Sequence, residues 1–299
     1  MWGIYAHFQP RVLTPLMSDP FHALEETVSA DVARALAEDV GRGDLTASLI
    51  PEGRTAHARL LTRQSGILCG VEWFRRTFEE LDPDVEIFWH HRDGDEIVAN
   101  TSVCELEGDA RALLTAERTA MNFVQLLSGV ATKARQYVLA VAGTQARIYD
   151  TRKTLPGLRI AQKYAVRAGG ANNHRIGLYD GILLKENHLL AAGGVRPAVQ
   201  AALRAAPEGT MVQVEVETLE QLAEALSAGA RLILLDNFDL PKMREAVAIT
   251  GTRAELEASG GVNLTSVRAI AETGVHRISV GALTKDVVAL DLSMRFMHH

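Results

Sequence analysis

Arg152 and Lys153 follow the apolar run ARIYD and Thr151, His174 and Arg175 lie in a glycine-rich stretch, and Lys185 ends the run GILLK. A lysine closing an otherwise apolar strand is costly to bury unless an anion accompanies it. Guanidinium groups bind carboxylates and phosphates through paired, planar hydrogen bonds, so Arg152 and Arg175 suit a ligand rich in those groups. Residues 147–188 hold eight Lys/Arg against three acids, in a chain of 299 residues with a formal net charge of −6. A basic segment inside an acidic protein fits a small anion, while the overall charge argues against non-specific nucleic-acid binding. Arg159, Lys163 and Arg167 recur at helical spacing and read as a solvated helix face.

The acids form a second set. In QVEVE, Gln213, Glu215 and Glu217 alternate with Val214 and Val216, so the polar three share one face of a strand. With the valines packed on helices, both glutamates point into a barrel. Asp236 ends the run LILL in the same fashion. Glu215, Glu217 and Asp236 could hold ribose hydroxyls or a divalent metal carried by pyrophosphate; the plainer reading is an ion-pair network with the inward cations. A third set is made of glycine turns, Ser259-Gly260-Gly261 and Val280-Gly281-Ala282, each at the end of a late apolar run. Backbone N–H groups and a following helix N-terminus there suit a phosphate.

What must position these groups is a βα rhythm. The runs ARIYD, GILLKE, MVQVEVE, LILLDN, AELEASGG and HRISVGA read as buried strands, the later ones about 20 residues apart with helices such as LEQLAEALSAGA and TSVRAIAETGV between them. Mostly apolar strands in such a series imply a parallel sheet covered by helices, with a barrel favoured over an open doubly wound sheet. Each strand ends in a reactive group: Asp150 to Lys153, Lys185, Glu215 and Glu217, Asp236, Ser259 to Gly261, and Gly281. In α/β barrels the carboxyl ends of the strands carry the chemistry. Upstream, residues 19–40 read as an amphipathic helix with Leu24, Val28, Val32, Leu36 and Val40 on one face. Short strands over 55–108 (HARLLTR, GILCG, VEIFWH, SVCELEG) suggest an α+β domain, and a long helix over 113–141 links the two parts.

Composition sets the outer bounds. The chain is 47% hydrophobic and 23% charged, ordinary for a globular cytosolic protein. No apolar run approaches the ~18–20 residues of a membrane span, and the N-terminal MWGIYAHFQPRVL lacks the pattern of a signal peptide, so a cytoplasmic location is expected. Cys69 and Cys104 are too few for a disulfide framework and read as core thiols. The terminal His298–His299 pair carries no weight.

Several long motifs in one order go further than any of these patterns. EDVGRGDLTA, ERTAMNFVQLLSGVAT, DTRKTLPGLR, QKYAVRAGGANNHRIGLYDGILLKENH, VEVETLEQLAEAL, LILLDNF, LEASGGV and ISVGALTKDVVALDLSM together resemble the quinolinate phosphoribosyltransferase family. The resemblance is dense over 115–294 and departs at Ala168 and Ala171, where members often have Cys and Gly. It implies an N-terminal α/β sandwich over 1–128, joined by the C-terminal segment 289–299, and a seven-stranded open TIM-like α/β barrel over 129–288. The implied reaction takes quinolinate and phosphoribosyl pyrophosphate, with magnesium, to nicotinate mononucleotide, pyrophosphate and carbon dioxide. Arg152, His174, Arg175 and Lys185 would surround the acceptor's carboxylates, with Lys153 and Lys185 near the pyrophosphate donor. Glu215 and Asp236 would contact ribose or metal, and the turns around Ser259–Gly261 and Val280–Ala282 the 5′-phosphate; Glu217 could replace Glu215. Arg118 resembles an arginine inserted into a neighbouring subunit's site, which implies a homodimer or a trimer of dimers. Competing readings are a related transferase with another acceptor, a barrel lyase forming a Schiff base through Lys185 or Lys153, and a non-catalytic phosphate-binding protein.

Overall fold

The computed structural model describes Phe21 and residues 23–297. The N-terminal segment read as lacking a signal peptide, residues 19, 20 and 22 of the expected first helix, and His298–His299 lie outside those residues.

Helix α1 (Leu24–Asp39) buries Val28 and Val32, with Leu24 and Leu36 packed against the same core. Strands β1 (Thr55–Thr62), β2 (Gly66–Ile67), β3 (Glu86–Trp89), β4 (Glu96–Ile97) and β5 (Ser102–Asp109) follow, with helix α2 (Val71–Glu79) after β2. Period-2 alternation in β1 turns Ala58, Leu60 and Thr62 inward. Phe74 and Phe78 of α2 pack in the same core cluster as Ala58 and Leu60. GILCG, expected as a strand, pairs only through its first two residues with β4. Cys69 within it instead exchanges backbone hydrogen bonds with the Ser128 hydroxyl. Both cysteines are free and buried, and burial raises both thiols above their ordinary range.

Helix α3 (Ala110–Ala140) starts one turn earlier than expected because the Asp109 carboxylate accepts from Ala112 N–H at 2.9 Å. Its 31 residues give a rod of about 46 Å. Leu113, Ala116, Ala120 and Val124 pack on the first sheet's core, while Leu127, Val130, Ala131 and Ala134 pack on the second. One helix therefore ties two hydrophobic cores together. The C-terminal strand β12 (Leu292–Phe296) returns to the first sheet, whose order is β12-β1-β5-β3, all antiparallel.

The second sheet is parallel. Strands β6 (Arg147–Tyr149), β7 (Gly181–Leu184), β8 (Met211–Val216), β9 (Leu232–Asp236), β10 (Glu255–Ser259) and β11 (Arg277–Ser279) occupy the six runs read as strands. Their order is β6-β11-β10-β9-β8-β7. A seventh stave is reduced to one bridge, Tyr149 with Asn172. Asn172 exchanges backbone hydrogen bonds with Ile148 and Asp150, and then the chain turns away because Asn173 and His174 bind the Asp150 carboxylate. The barrel is open between this stave and β7, and residues 173–180 span the gap. That loop carries His174 and Arg175.

Candidate functional site

Alternation along the parallel strands sorts the strand-end residues into two sets. Ile148, Val214, Val216, Ile233, Leu235, Leu256, Ala258, Ile278 and Val280 face the helices and form one core. Of the residues that alternate with them, Glu215, Leu234, Glu257 and Ser279 line a cavity of about 780 Å³ at the carboxyl ends of the strands. Thr151, Arg152, Lys153, His174, Arg175, Lys185, Glu215, Asp236, Ser259, Gly260, Gly261, Gly281 and Ala282 all border it. That size is ordinary for a small-molecule site.

Three further residues named from the sequence do not border this chain's cavity, Arg118 among them, which is expected in a neighbouring subunit's site. Val280 is 1% exposed and packs on the helix side, so only its backbone belongs to the glycine turn. Arg118 is exposed on α3 and does not border this chain's cavity. Glu217 lies beyond the end of β8 and is exposed, whereas Glu215 enters the cavity.

Asp150 does not enter the cavity either. It shares the parity of Ile148 and so points toward helix α4 (Arg159–Ala168), where it meets Lys163. The reading of Lys163 as a solvated residue is thereby overturned: both side chains are 0% exposed and form an ion pair. Asp150 also accepts from His174 N–H at 2.8 Å and from Asn173 Nδ2 at 2.6 Å, and Lys163 Nζ donates to His174 O at 2.9 Å. Burial pushes the Asp150 carboxyl up and the Lys163 ammonium down, and their attraction opposes both shifts. This buried pair clamps the backbone of the loop that presents Arg175.

The cations of the cavity crowd one another. Burial first, and then the neighbouring Arg152, hold Arg175 below the usual guanidinium range; it remains charged at neutral pH. Arg175 Nη1 donates to Gly181 O at 2.8 Å, bridging the open seam. Arg152 Nε is buried without a hydrogen-bond partner. A buried unpaired donor beside a second cation suits an anionic ligand. Lys153 is exposed at the rim, on a loop held by Lys153 N–H to Thr151 Oγ1 (3.0 Å) and Thr284 Oγ1 to Lys153 O (2.8 Å). Lys185 Nζ donates to Glu215 Oε2 at 3.0 Å, with Lys185 half exposed and Glu215 largely covered.

The glycine turns come close to their neighbours. Gly260 has φ +101°, and a Cβ there would lie 2.1 Å from Asn237 Oδ1. Asn237 in turn donates from Nδ2 to Asp236 Oδ2 at 2.9 Å and from its backbone to Ser259 O at 3.1 Å. Only glycine lets the turn sit against this asparagine. At Gly281 a Cβ would meet Lys153 Cδ at 3.0 Å, so the second turn leaves room for that lysine.

Several cavity residues were not singled out from the sequence, among them Glu257, Asn237, Tyr137 and Asp286. Glu257 was legible: it shares the parity of Ser259 in ELEAS and is 0% exposed. Asn237 directly follows Asp236. Tyr137 comes from α3, and Asp286 from the segment beyond Ala282; helix crossings of this kind leave no local signal.

This geometry can be set beside known proteins. The profile described as "Quinolinate phosphoribosyl transferase, C-terminal domain" matches residues 130–295, and that described as "Quinolinate phosphoribosyl transferase, N-terminal domain" matches 44–128. The chain belongs to the quinolinate phosphoribosyltransferase family. A Mycobacterium leprae member named nicotinate-nucleotide pyrophosphorylase (carboxylating) is 41% identical over 287 residues, covering 93% of this chain and 99% of the relative. A Bacillus subtilis member named a probable nicotinate-nucleotide pyrophosphorylase (carboxylating) is 44% identical over 257 residues, covering 86% of this chain and 89% of the relative. The solved structure of the nicotinate-nucleotide pyrophosphorylase from Francisella tularensis superposes with a TM-score of 0.90 at 42% identity, covering 94% of this chain and 99% of that one. The mixed α/β architecture, an antiparallel sheet joined to a parallel barrel sheet, is that of this family.

Proposed function

We propose that this chain transfers the phosphoribosyl group of phosphoribosyl pyrophosphate to the ring nitrogen of quinolinate and releases pyrophosphate and carbon dioxide, leaving nicotinate mononucleotide. The observation that carries the reading is the adjacent cation pair Arg152 and Arg175, with Arg152 Nε lacking a hydrogen-bond partner, in one cavity with Glu215, Asp236 and two glycine turns. Arg152, Arg175 and Lys185, with His174 beside them, hold the two carboxylates of the acceptor. The turns at Ser259–Gly261 and Gly281–Ala282 take the 5′-phosphate through backbone N–H groups.

The ring nitrogen attacks the anomeric carbon as pyrophosphate departs. Lys153 and Lys185 balance the departing charge, while Glu215 and Asp236 lie near the positive charge that develops on the sugar. Fixing the ring through its carboxylates removes an orientational barrier. Once the ring is cationic, the carboxylate next to the nitrogen leaves as carbon dioxide, its bonding electrons stay on the ring carbon beside the positive nitrogen, and a proton from water then forms the C–H bond that replaces it.

Among the described residues no group of three or more His, Cys, Asp or Glu is placed to hold a metal by itself. One or two carboxylates plus substrate phosphates are the usual environment of magnesium, and Glu215 with Asp236 fits it. When bound there, magnesium would neutralise pyrophosphate oxygens.

A Schiff-base lyase fits less well. Lys185 is half exposed and paired with Glu215, and Lys153 is exposed, so neither has the desolvation such an amine needs.

The test is an acceptor assay with the purified chain, magnesium and phosphoribosyl pyrophosphate. Quinolinate is expected to yield nicotinate mononucleotide and carbon dioxide, and nicotinate to yield nothing; equal use of nicotinate would refute the assignment. Gly260→Ala is expected to raise KM for phosphoribosyl pyrophosphate at least about tenfold, since the turn must move away from Asn237. Initial rates at saturating quinolinate measure it.

The working unit in this reading is a cytoplasmic homodimer, or three such dimers, with Arg118 reaching into the neighbour's cavity. Exposed Leu114 lies one turn before Arg118, and exposed Leu45 and Leu49 lie on a segment anchored to α3 by Thr115 to Asp44 and Arg111 to Ile50. Exposed apolar side chains on the arginine's helix and on a segment tied to it suit an interface. Among the described residues no helix is long and apolar enough to cross a membrane. Mixing inactive Arg118→Ala and Lys185→Ala subunits is expected to restore up to about a quarter of the wild-type activity by random pairing. No recovery, with hetero-oligomers confirmed by mass, would place Arg118 outside the site.

A further inference from the structure

Every polar atom of His174 is engaged by protein. Its N–H donates to Asp150, its carbonyl accepts from Lys163, its Nδ1 accepts from Arg175 N–H at 2.8 Å, and its Nε2 lies 2.7 Å from Gln213 Oε1. A backbone N–H can only donate, so Nδ1 must carry the lone pair and the ring proton sits on Nε2. Nε2–H then donates to Gln213 Oε1, which leaves the Gln213 amide nitrogen to donate to Glu257 Oε2 at 2.9 Å. The opposite orientation of Gln213 would set two donors together at His174 and two acceptors together at Glu257. Each direction in the chain follows from the first.

Glu257 sits where it costs stability. The side chain is fully buried, and its second oxygen, Oε1, has no hydrogen-bond partner. A half-satisfied buried carboxyl calls for a specific role.

We propose that Glu257 and Gln213 are positioning residues that lock His174 as its Nε2–H tautomer, so that Nδ1 holds the Arg175 backbone and aims Arg175 at the acceptor. The kinetic part rests on the assignment of Arg175 to the acceptor's carboxylate; the tautomer itself does not. Glu257→Leu removes the acceptor for Gln213, whose amide is then free to turn over and cease to fix the ring. Glu257→Gln keeps an oxygen for Gln213 and preserves the chain.

The experiment has two arms on the full-length protein. With 15N-labelled histidine, the His174 ring of the wild type is expected to show a protonated Nε2 and an unprotonated Nδ1, with the same pattern in Glu257→Gln and mixed tautomers in Glu257→Leu. In the second arm, Glu257→Leu is expected to raise KM for quinolinate about tenfold and to leave KM for phosphoribosyl pyrophosphate within about twofold. Glu257→Gln should stay near wild type, and the Glu257→Leu/Gln213→Leu double variant should be no worse than the poorer single. An Nδ1–H ring in the wild type overturns the proposal, as does a folded Glu257→Leu with unchanged quinolinate KM, or a Glu257→Gln as impaired as the leucine variant. If Glu257→Leu does not fold, the wild-type spectrum and Glu257→Gln decide. A protein inactive on quinolinate that still shows the Nε2–H ring would remove the assigned reaction and leave the tautomer lock standing.

Discussion

Arg175→Ala is expected to lower kcat/KM for quinolinate by one to two powers of ten or more, with the fold and the Tm little changed. The arginine bridges the open seam through Gly181 O and stands against Arg152 in the cavity. A charge-assisted hydrogen bond to a carboxylate contributes about 1.5–3 kcal/mol, and loss of orientation adds to this. Removing one of two adjacent cations also relieves their mutual repulsion, so a loss of activity would be a loss of ligand contact and not of scaffold. Steady-state kinetics with quinolinate varied, beside thermal unfolding, separates the two. Unchanged kinetics would remove Arg175 from the site.

Lys163→Met is expected to destabilise the fold by about 3–5 kcal/mol at neutral pH, because it strands the Asp150 carboxylate in a fully buried place. Against a typical total of about 5–15 kcal/mol this is a large fraction. The deficit has a pH signature. The folded-state pKa of Asp150 already lies above its ordinary value through burial, and removing the lysine takes away the attraction that opposed that shift. The folded variant therefore takes up a proton as pH falls, and the deficit shrinks from neutral pH toward the acid side. Urea unfolding at a series of pH values measures it. A constant deficit, or none, would mean that Asp150 gains a new partner in the variant.

The six barrel strands could be read because each is a run of apolar residues bounded by polar ones, and both the helix-facing and the cavity-facing side chains follow from period two. The same alternation explains what was legible in the site: Lys185, Glu215, Asp236 and Gly281 all sit on cavity-facing positions at strand ends. Two misreadings have one origin. By sequence Asp150 reads with its neighbours 151–153, but its parity turns it to the helix side; Lys163 reads as a surface residue because helical spacing does not tell which cation meets a partner thirteen positions away. A long-range pair is invisible when each member is weighed alone. Glu257 could have been found by applying to ELEAS the reasoning applied to QVEVE. Tyr137 could not, since its place depends on how α3 crosses the barrel mouth. The second glycine-capped helix, expected over TSVRAIAETGV, forms only between Val267 and Ala271, with Asn263 making a turn that accepts from Thr265 and Ser266 N–H before it.

The most direct measurement is a crystal structure of the protein with quinolinate bound. Its two carboxylates are expected within about 3 Å of donors from Arg152, Arg175 and Lys185, with the ring nitrogen turned toward Glu215 and Asp236. Quinolinate seated away from these cations, or with its nitrogen turned from the two acids, would contradict the account.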